Sequence, residues 1–282
     1  VAAEAVTAPV AYLAGPTASG KSALAIRIAK AHGIAIVSAD SMQVYRGMAI
    51  GTAQPSEAER DGVPHHLLGL ADPREEFHAA RFRTEALRAI AAEAAQGRRC
   101  LVVGGTGLWM RALREGLFDG PGRDAALRDE LHALLAREGP AALHALLARE
   151  DPKTAARLSV ADHVRVVRAL EVIRATGRSI TDWQAEDTAR REALGPLPPM
   201  IVLSLEKGAL HDRIARRVDA MMEAGWLDEA RALHALALPE ASPARKALGY
   251  PQLFAHFEGR LPLADAVSEI KLRTRQFARR QH

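Results

Sequence analysis

The sequence predicts an α/β fold with a three-layer core on a mostly parallel sheet, plus an inserted helical lobe. Three observations predict it. The octapeptide GPTASGKS, residues 15–22, follows an apolar run and opens a helix. Short apolar runs alternate with helical stretches towards both ends of the chain, an order that calls for crossovers and therefore parallel strands. Residues 120–195 between them carry helical periodicity with no clear strand.

Val10–Ala14 reads as a buried strand, and the stretch from Ser22 to Lys30 as the helix after it. The turn between them fits G-x-x-x-x-G-K-[ST] in full, so the core is P-loop NTPase-like. In this strand, turn and helix order the backbone N–H groups of residues 17–22 point inward at phosphate oxygens. Gly15, Pro16, Thr17, Ala18, Ser19, Gly20, Lys21 and Ser22 are therefore the expected phosphate-binding loop. Lys21 adds positive charge there, and the Ser22 hydroxyl suits a magnesium ion (Mg2+) shared with the phosphates. The motif establishes polyphosphate binding without naming the polyphosphate.

Residues 33–40 form a second strand ending at Asp40, and residues 41–56 are irregular, punctuated by Gly and Pro. A helix is expected over 76–96, then a turn and a third strand over 97–107. Helices follow over 123–149 and 160–176, broken at Gly139-Pro140 and Asp151-Pro152. The apolar run at 199–205 returns the chain to the first sheet, and helices over 208–224, 226–237, 250–258 and 262–281 complete it. The expected division is 1–119 for the first part of the core, 120–195 for the helical insertion and 196–282 for the return.

Composition narrows the function classes. Apolar residues at 48% and charged residues at 26% describe an ordinary soluble protein, whereas 4% aromatic content argues against base recognition by an aromatic sheet. A formal charge of +4 permits an acidic partner such as RNA. Cys100 is alone, which excludes an internal disulfide framework and a multi-cysteine metal site; it suits a reducing cytoplasm and reads as filler in a strand. No apolar run approaches membrane-spanning length, and the opening VAAEAVTAP lacks a basic and an apolar leader region, so neither membrane insertion nor export is expected.

Asp40 stands where the second strand opens into the ligand crevice of an α/β sheet. A carboxylate there accepts a proton or holds metal-bound water, or else makes a local Asx turn or helix cap. Gln43 can donate and accept at once and so can read a base edge. After the third strand, GGTGLW at 104–109 allows close backbone approach, with Thr106 able to donate to a phosphate or leaving-group oxygen; Gly-Gly-Thr-Gly is equally a packing turn. The aspartate that nucleotide hydrolases place on such a strand is missing, which argues against a motor or switch ATPase. Arg165 and Arg168 share a helical surface opposite Val166, Val167, Leu170 and Val172. Arg213, Arg216 and Arg217 lie on a second helix, and Lys271, Arg273, Arg275, Arg279 and Arg280 on the last. These sets form a phosphate-tracking groove or are solvated faces. His65, His66 and His78 have no zinc-site spacing and read as turn or packing residues.

Taken together, GPTASGKS, DSMQVYRGMAIGTAQP, VPHHLLG, ARF, GGTGLW, DHVRVVRALEV, LHDRIARRVDAMMEAGWLDE, ALGY and TRQFARRQ closely resemble the tRNA dimethylallyltransferase (tRNA isopentenyltransferase) family, bacterial type. The resemblance spans residues 11–281. It implies transfer of a dimethylallyl group from dimethylallyl diphosphate to N6 of adenosine 37 in tRNA, with residues 15–22 on the diphosphate and Mg2+ as cofactor. It further implies Asp40 as general base, Thr106 as a phosphate contact and Arg217 as a stabiliser of diphosphate. RNA-contacting segments map onto Asp40, Ser41, Met42 and Gln43, onto Val164, Arg165, Val166, Val167 and Arg168, and onto Arg245, Lys246, Ala247, Leu248, Gly249 and Tyr250. The helical insertion helps clasp the anticodon stem-loop of a tRNA, and a monomer in the cytoplasm is expected. Three departures from the family pattern stand out: Trp109 where a tyrosine is usual, Pro251 in place of a basic residue, and an end at Gln281-His282 where members continue with Trp-Leu-Arg and a tail, as in a truncated chain. The same phosphate loop also serves an ATP-dependent small-molecule or nucleoside kinase, and the basic helices alone would serve a noncatalytic RNA-binding module.

Overall fold

The computed structural model describes residues 10–117, 122, 124–193, 196–240 and 242–281. The opening segment read for a leader, and the boundaries expected at 119–120 and at 195, lie outside the described residues. The chain divides into two compact units, one of Val1–Gly116 with Leu197–His282 and one of Leu117–Pro196.

The first unit is built on five parallel strands: β1 (Val10–Ala14), β2 (Ala35–Ala39), β3 (His65–His66), β4 (Cys100–Gly104) and β5 (Met200–Val202), in spatial order β3-β2-β4-β1-β5. The apolar runs of β1, β2 and β4 are continuous because both faces are covered there. Side chains alternate between the two faces as the pleat requires. Leu13, Ile36, Leu101 and Val103 pack against α1 (Lys21–His32) through its Ala25 and Ala29. Tyr12, Val37, Cys100 and Val102 join the larger core on the opposite face. Cys100 is buried, as its place in a strand suggests, and burial pushes its thiol up to about 11.

Covering that second face are α3 (Ala79–Ala95) and α4 (Gly107–Glu115), while a single capped turn, α2 (Glu57–Arg60), precedes β3. His78 caps α3, its Nδ1 accepting from the Arg81 N–H at 3.2 Å. Helix α4 departs from the expected packing turn: it starts inside the glycine-rich stretch, where Trp109 stacks on Phe82 at 4.4 Å and tilts against Phe77 at 5.5 Å. That apolar anchorage outweighs the poor helix propensity of its opening glycine.

The second unit is helical: α5 (Ala125–Glu150), α6 (Pro152–Ala155), α7 (His163–Thr176) and α8 (Ile180–Ala193). Gly139, at φ 81° and ψ 173° ahead of Pro140, kinks α5, so its two halves can both pack on α7. Their core contains Leu131, Leu143, Leu147, Val166, Val167 and Leu170. Glu171 is buried there and held by Arg128 at 3.0 Å, Arg168 at 3.1 Å and the Asp124 N–H at 3.0 Å.

After β5 the first unit resumes with α9 (Lys207–Glu223), α10 (Trp226–Ala235), α11 (Tyr250–Phe257) and α12 (Leu263–Arg280). No helix among the described residues is long and apolar enough to cross a membrane.

Candidate functional site

Three central strands end level with one another: Ala14 pairs with Gly104, and Gly104 with Ala39. Ligands of open α/β sheets bind beyond such carboxyl ends. The approach of β2 to β4 is so close that a Cβ on Gly104 would lie 2.3 Å from the Ala39 carbonyl oxygen. Only glycine fits there.

Beyond β1 the chain turns through Gly15–Gly20, with Ala18 at φ 62° and Gly20 at φ 91°. A non-glycine residue in that left-handed region costs roughly 1 kcal/mol, a strain typical of binding loops. Gly20 is the N-cap of α1 and supplies no side-chain acceptor, so the first N–H groups of the helix have no side-chain cap. Lys21 follows, its Nζ donating to the Pro16 carbonyl at 3.2 Å. Burial lowers the Lys21 pKa, the Asp40 carboxylate raises it, and the Arg217 guanidinium lowers it again.

Arg217 reaches the loop from α9, one turn beyond Arg213, which donates to the Ser19 carbonyl at 3.3 Å. Burial also lowers the Arg217 pKa, against the favourable charge of Asp40. Both cations feel the Asp40 carboxylate, Arg217 feels Glu59 as well, and neither forms a salt bridge with Asp40. Positive charge at an open helix N-terminus favours anions.

Asp40 lies just past β2. Its Oδ1 accepts from the Met42 N–H at 2.9 Å and, less closely, from the Gln43 N–H at 3.4 Å, so it does form a local Asx turn. Its other oxygen has no hydrogen-bond partner among the described residues. The turn therefore orients the carboxylate without consuming it. Thr106, past β4, accepts from the Ser41 N–H at 3.1 Å through Oγ1, and its hydroxyl lies 3.3 Å from that of Ser41. A cavity of about 660 Å³ opens over these groups, with Asp40, Thr106 and Arg217 on its wall and Lys246, Arg273 and Arg280 among its other lining residues.

Several residues expected at the RNA have other partners in the structure. Gln43 donates both amide hydrogens inward, to the Thr52 carbonyl at 3.1 Å and the Ala53 carbonyl at 2.9 Å, while its oxygen accepts from Ser38 at 3.0 Å. Its carboxamide braces the 49–54 loop and is not free to read a base edge. Val166 and Val167 face the core of the helical unit, and Arg168 is held on buried Glu171. On that helix Val164 and Arg165 remain exposed, the latter 3.0 Å from Asp162. Tyr250 is buried away from the cavity, whereas Lys246, Ala247 and Leu248 line it. Arg245 donates to the Leu238 carbonyl at 3.0 Å, and Gly249 at φ 95° lies under Trp226, where a Cβ would come within 2.3 Å of the indole.

Glu229, on α10, emerges only in three dimensions. It accepts from the Ile50 and Gly51 N–H groups, each at 2.8 Å, and from the Tyr250 hydroxyl at 2.7 Å. Gly51 leaves room for this convergence, since a Cβ there would lie 2.1 Å from the Trp226 Nε1. Because its backbone partners stand 178 and 179 residues away, no spacing marks it in the sequence.

Among the described residues no group of three or more His, Cys, Asp or Glu side chains could hold a metal. His65 lies 2.8 Å from the Val63 carbonyl and His66 2.7 Å from Glu93, consistent with packing roles. Ser22 lines a small cleft with Lys21 and Asp40, and its hydroxyl has no hydrogen-bond partner among the described residues. It can therefore hold a hydrated divalent cation together with phosphate oxygens.

The chain is similar to known proteins over most of its length. The IPP transferase family model matches residues 43–282 and the isopentenyl transferase model residues 8–69. The tRNA dimethylallyltransferase of Geobacter metallireducens is 46% identical over 272 residues, covering 95% of this chain and 86% of its own. That of Rhodospirillum centenum is 49% identical over 279 residues, 98% of this chain and 87% of its own. Among solved structures, the tRNA isopentenylpyrophosphate transferase of Bacillus halodurans is similar with a TM-score of 0.68 at 37% identity, covering 98% of this chain and 86% of that one. A eukaryotic dimethylallyltransferase acting on tRNA gives a TM-score of 0.78 at 27% identity, with coverage of 98% and 69%.

Proposed function

The chain belongs to the IPP transferase family of tRNA dimethylallyltransferases, and from that premise we propose that it transfers the dimethylallyl group of dimethylallyl diphosphate to N6 of adenosine 37 in the anticodon stem-loop of tRNA. Diphosphate leaves. The observation that carries this reading is the pair of cations, Lys21 and Arg217, with the Asp40 carboxylate near both, at the open end of the phosphate loop.

In the reaction the allylic C–O bond breaks, its electron pair departs with diphosphate, and a bond forms from adenine N6 to the allylic carbon. The loop N–H groups, Lys21 and Arg217 stabilise the charge that grows on the departing oxygens, where fixed donors are most effective. Magnesium fits beside Ser22 and, when bound, would neutralise further charge on the diphosphate. Asp40 takes the proton from N6 through its free oxygen. A carboxylate is a weak base towards a neutral amine, so this transfer follows the growth of positive charge on nitrogen. The target base must leave its stack to reach Asp40, and a single-stranded loop lowers that cost.

Lys246, Arg273 and Arg280 at the cavity suit contact with RNA phosphates, as does Arg165 on the helical unit. Mass-resolved transfer to a stem-loop containing A36-A37-A38, with dimethylallyl diphosphate, magnesium and no ATP, tests the proposal. The expected result is one prenyl mass on A37 alone. ATP-dependent phosphoryl transfer with no prenylation would replace it.

A further inference from the structure

Past the last turn of α12, Gln281 reaches two separate loops of the site. Its Oε1 accepts from the Thr17 N–H of the phosphate loop at 2.8 Å, and its Nε2 donates to the Gly105 carbonyl at 3.1 Å. The fit is close: a Cβ on Gly105 would lie 2.4 Å from that nitrogen. Pairing of β1 with β4 ends at Ala14 and Gly104, and the carboxamide bridges the chains immediately beyond.

A bridge of this kind needs one acceptor and one donor on a neutral, planar group at the end of a flexible stem, a combination that glutamine supplies. The next residue after Gly105 is Thr106, tied in turn to Ser41 and so to the turn that orients Asp40. We propose that Gln281 is a positioning residue that holds the phosphate loop at a fixed distance from the Thr106 loop, so that both meet one diphosphate. This rests on the function proposed above. The helix ending at Gln281 also carries Arg273 and Arg280 on the cavity wall, so the same element joins the RNA side of the cavity to the donor side.

The variants Gln281→Leu, Gln281→Asn and Gln281→Glu test the inference. Leucine keeps bulk without either bond, asparagine is one methylene too short to span both loops, and glutamate keeps the acceptor while opposing the Gly105 carbonyl and the diphosphate charge. The readouts are affinity for inorganic diphosphate with magnesium, KM for dimethylallyl diphosphate, affinity for the stem-loop, and Tm. Leucine is expected to weaken diphosphate binding and raise the donor KM about tenfold, equivalent to ~1.4 kcal/mol. Glutamate should be worse than leucine, with asparagine also impaired, while stem-loop affinity stays within about twofold and Tm within a few degrees. An unchanged diphosphate affinity and donor KM in the leucine variant would overturn the proposal. So would losses shared equally by donor binding, RNA binding and Tm, which mark a general structural role. Diphosphate affinity is measured without any transfer reaction, so a wild-type protein that binds diphosphate but prenylates no RNA refutes the proposed function while still deciding the role of Gln281.

Discussion

Replacing Asp40 by asparagine separates the carboxylate's chemistry from its structural duty. The amide oxygen can still accept from the Met42 and Gln43 N–H groups, at 2.9 and 3.4 Å in the native protein, so the turn is preserved. What is lost is a proton acceptor and one negative charge. A positioned general base contributes about 10²–10⁴-fold, so kcat should fall by that range. The charge acts in the opposite direction on donor binding. Asp40 is the anion that favours the charged forms of both Lys21 and Arg217, with Glu59 adding to it at Arg217. Without it both cations are free for diphosphate, and affinity for inorganic diphosphate should rise about fivefold, or ~1 kcal/mol for a charge pair near a solvated cavity. Single-turnover prenyl transfer measured beside diphosphate titration gives both numbers. A variant that keeps its transfer rate within tenfold, or that binds diphosphate more weakly than wild type, would refute the assigned role and the electrostatic argument with it.

Four further outcomes follow from local geometry. Glu229→Gln turns an amide hydrogen towards backbone donors that now bond a carboxylate, and should cost about 2 kcal/mol, read as a Tm lower by several degrees; an unchanged Tm would refute the hub. Gly104→Ala places a methyl 2.3 Å from the Ala39 carbonyl and should destabilise by more than ~2 kcal/mol or prevent folding. Gly62→Ala, whose added methyl would meet nothing within 4 Å although φ is 76°, should cost less, as parallel urea melts would reveal. Glu93 is held on Arg98 first and His66 second, which depresses its pKa below the ordinary glutamate value of 4.5. Its stabilising contribution is therefore complete above about pH 5 and is lost as pH falls through the depressed value, so Glu93→Gln should flatten stability against pH between about 5 and 3; an unaltered slope there would reject this linkage.

The parts of the molecule legible in the sequence are those set by local backbone demands. A buried strand, a glycine turn and an amphipathic helix lie within 23 residues, from Val10 to His32, and each constrains the next. Asp40 and Thr106 could be placed because parallel strands bring their carboxyl ends to one edge, whatever else the chain does. Gln43 shows the converse: its chemistry suits base recognition, while its partners in the fold are the Thr52 and Ala53 carbonyls and the Ser38 hydroxyl, which no side-chain inventory reveals. Helix α4 escaped because glycine punctuation was weighed without the Phe77 and Phe82 rings that hold Trp109. The helix over Ile180–Ala193 escaped because its mixed polar sequence carries no clean apolar stripe. For α7, periodicity identifies the apolar face of the helix, and Val166 and Val167, which only the family resemblance places in an RNA-contacting segment, lie on that face in the helical core. Groups that act on a ligand carry chemistry visible in isolation. Groups such as Glu229 and Gln281 owe their roles to donors and acceptors from distant parts of the chain, so their importance is a property of the folded contacts and of nothing shorter.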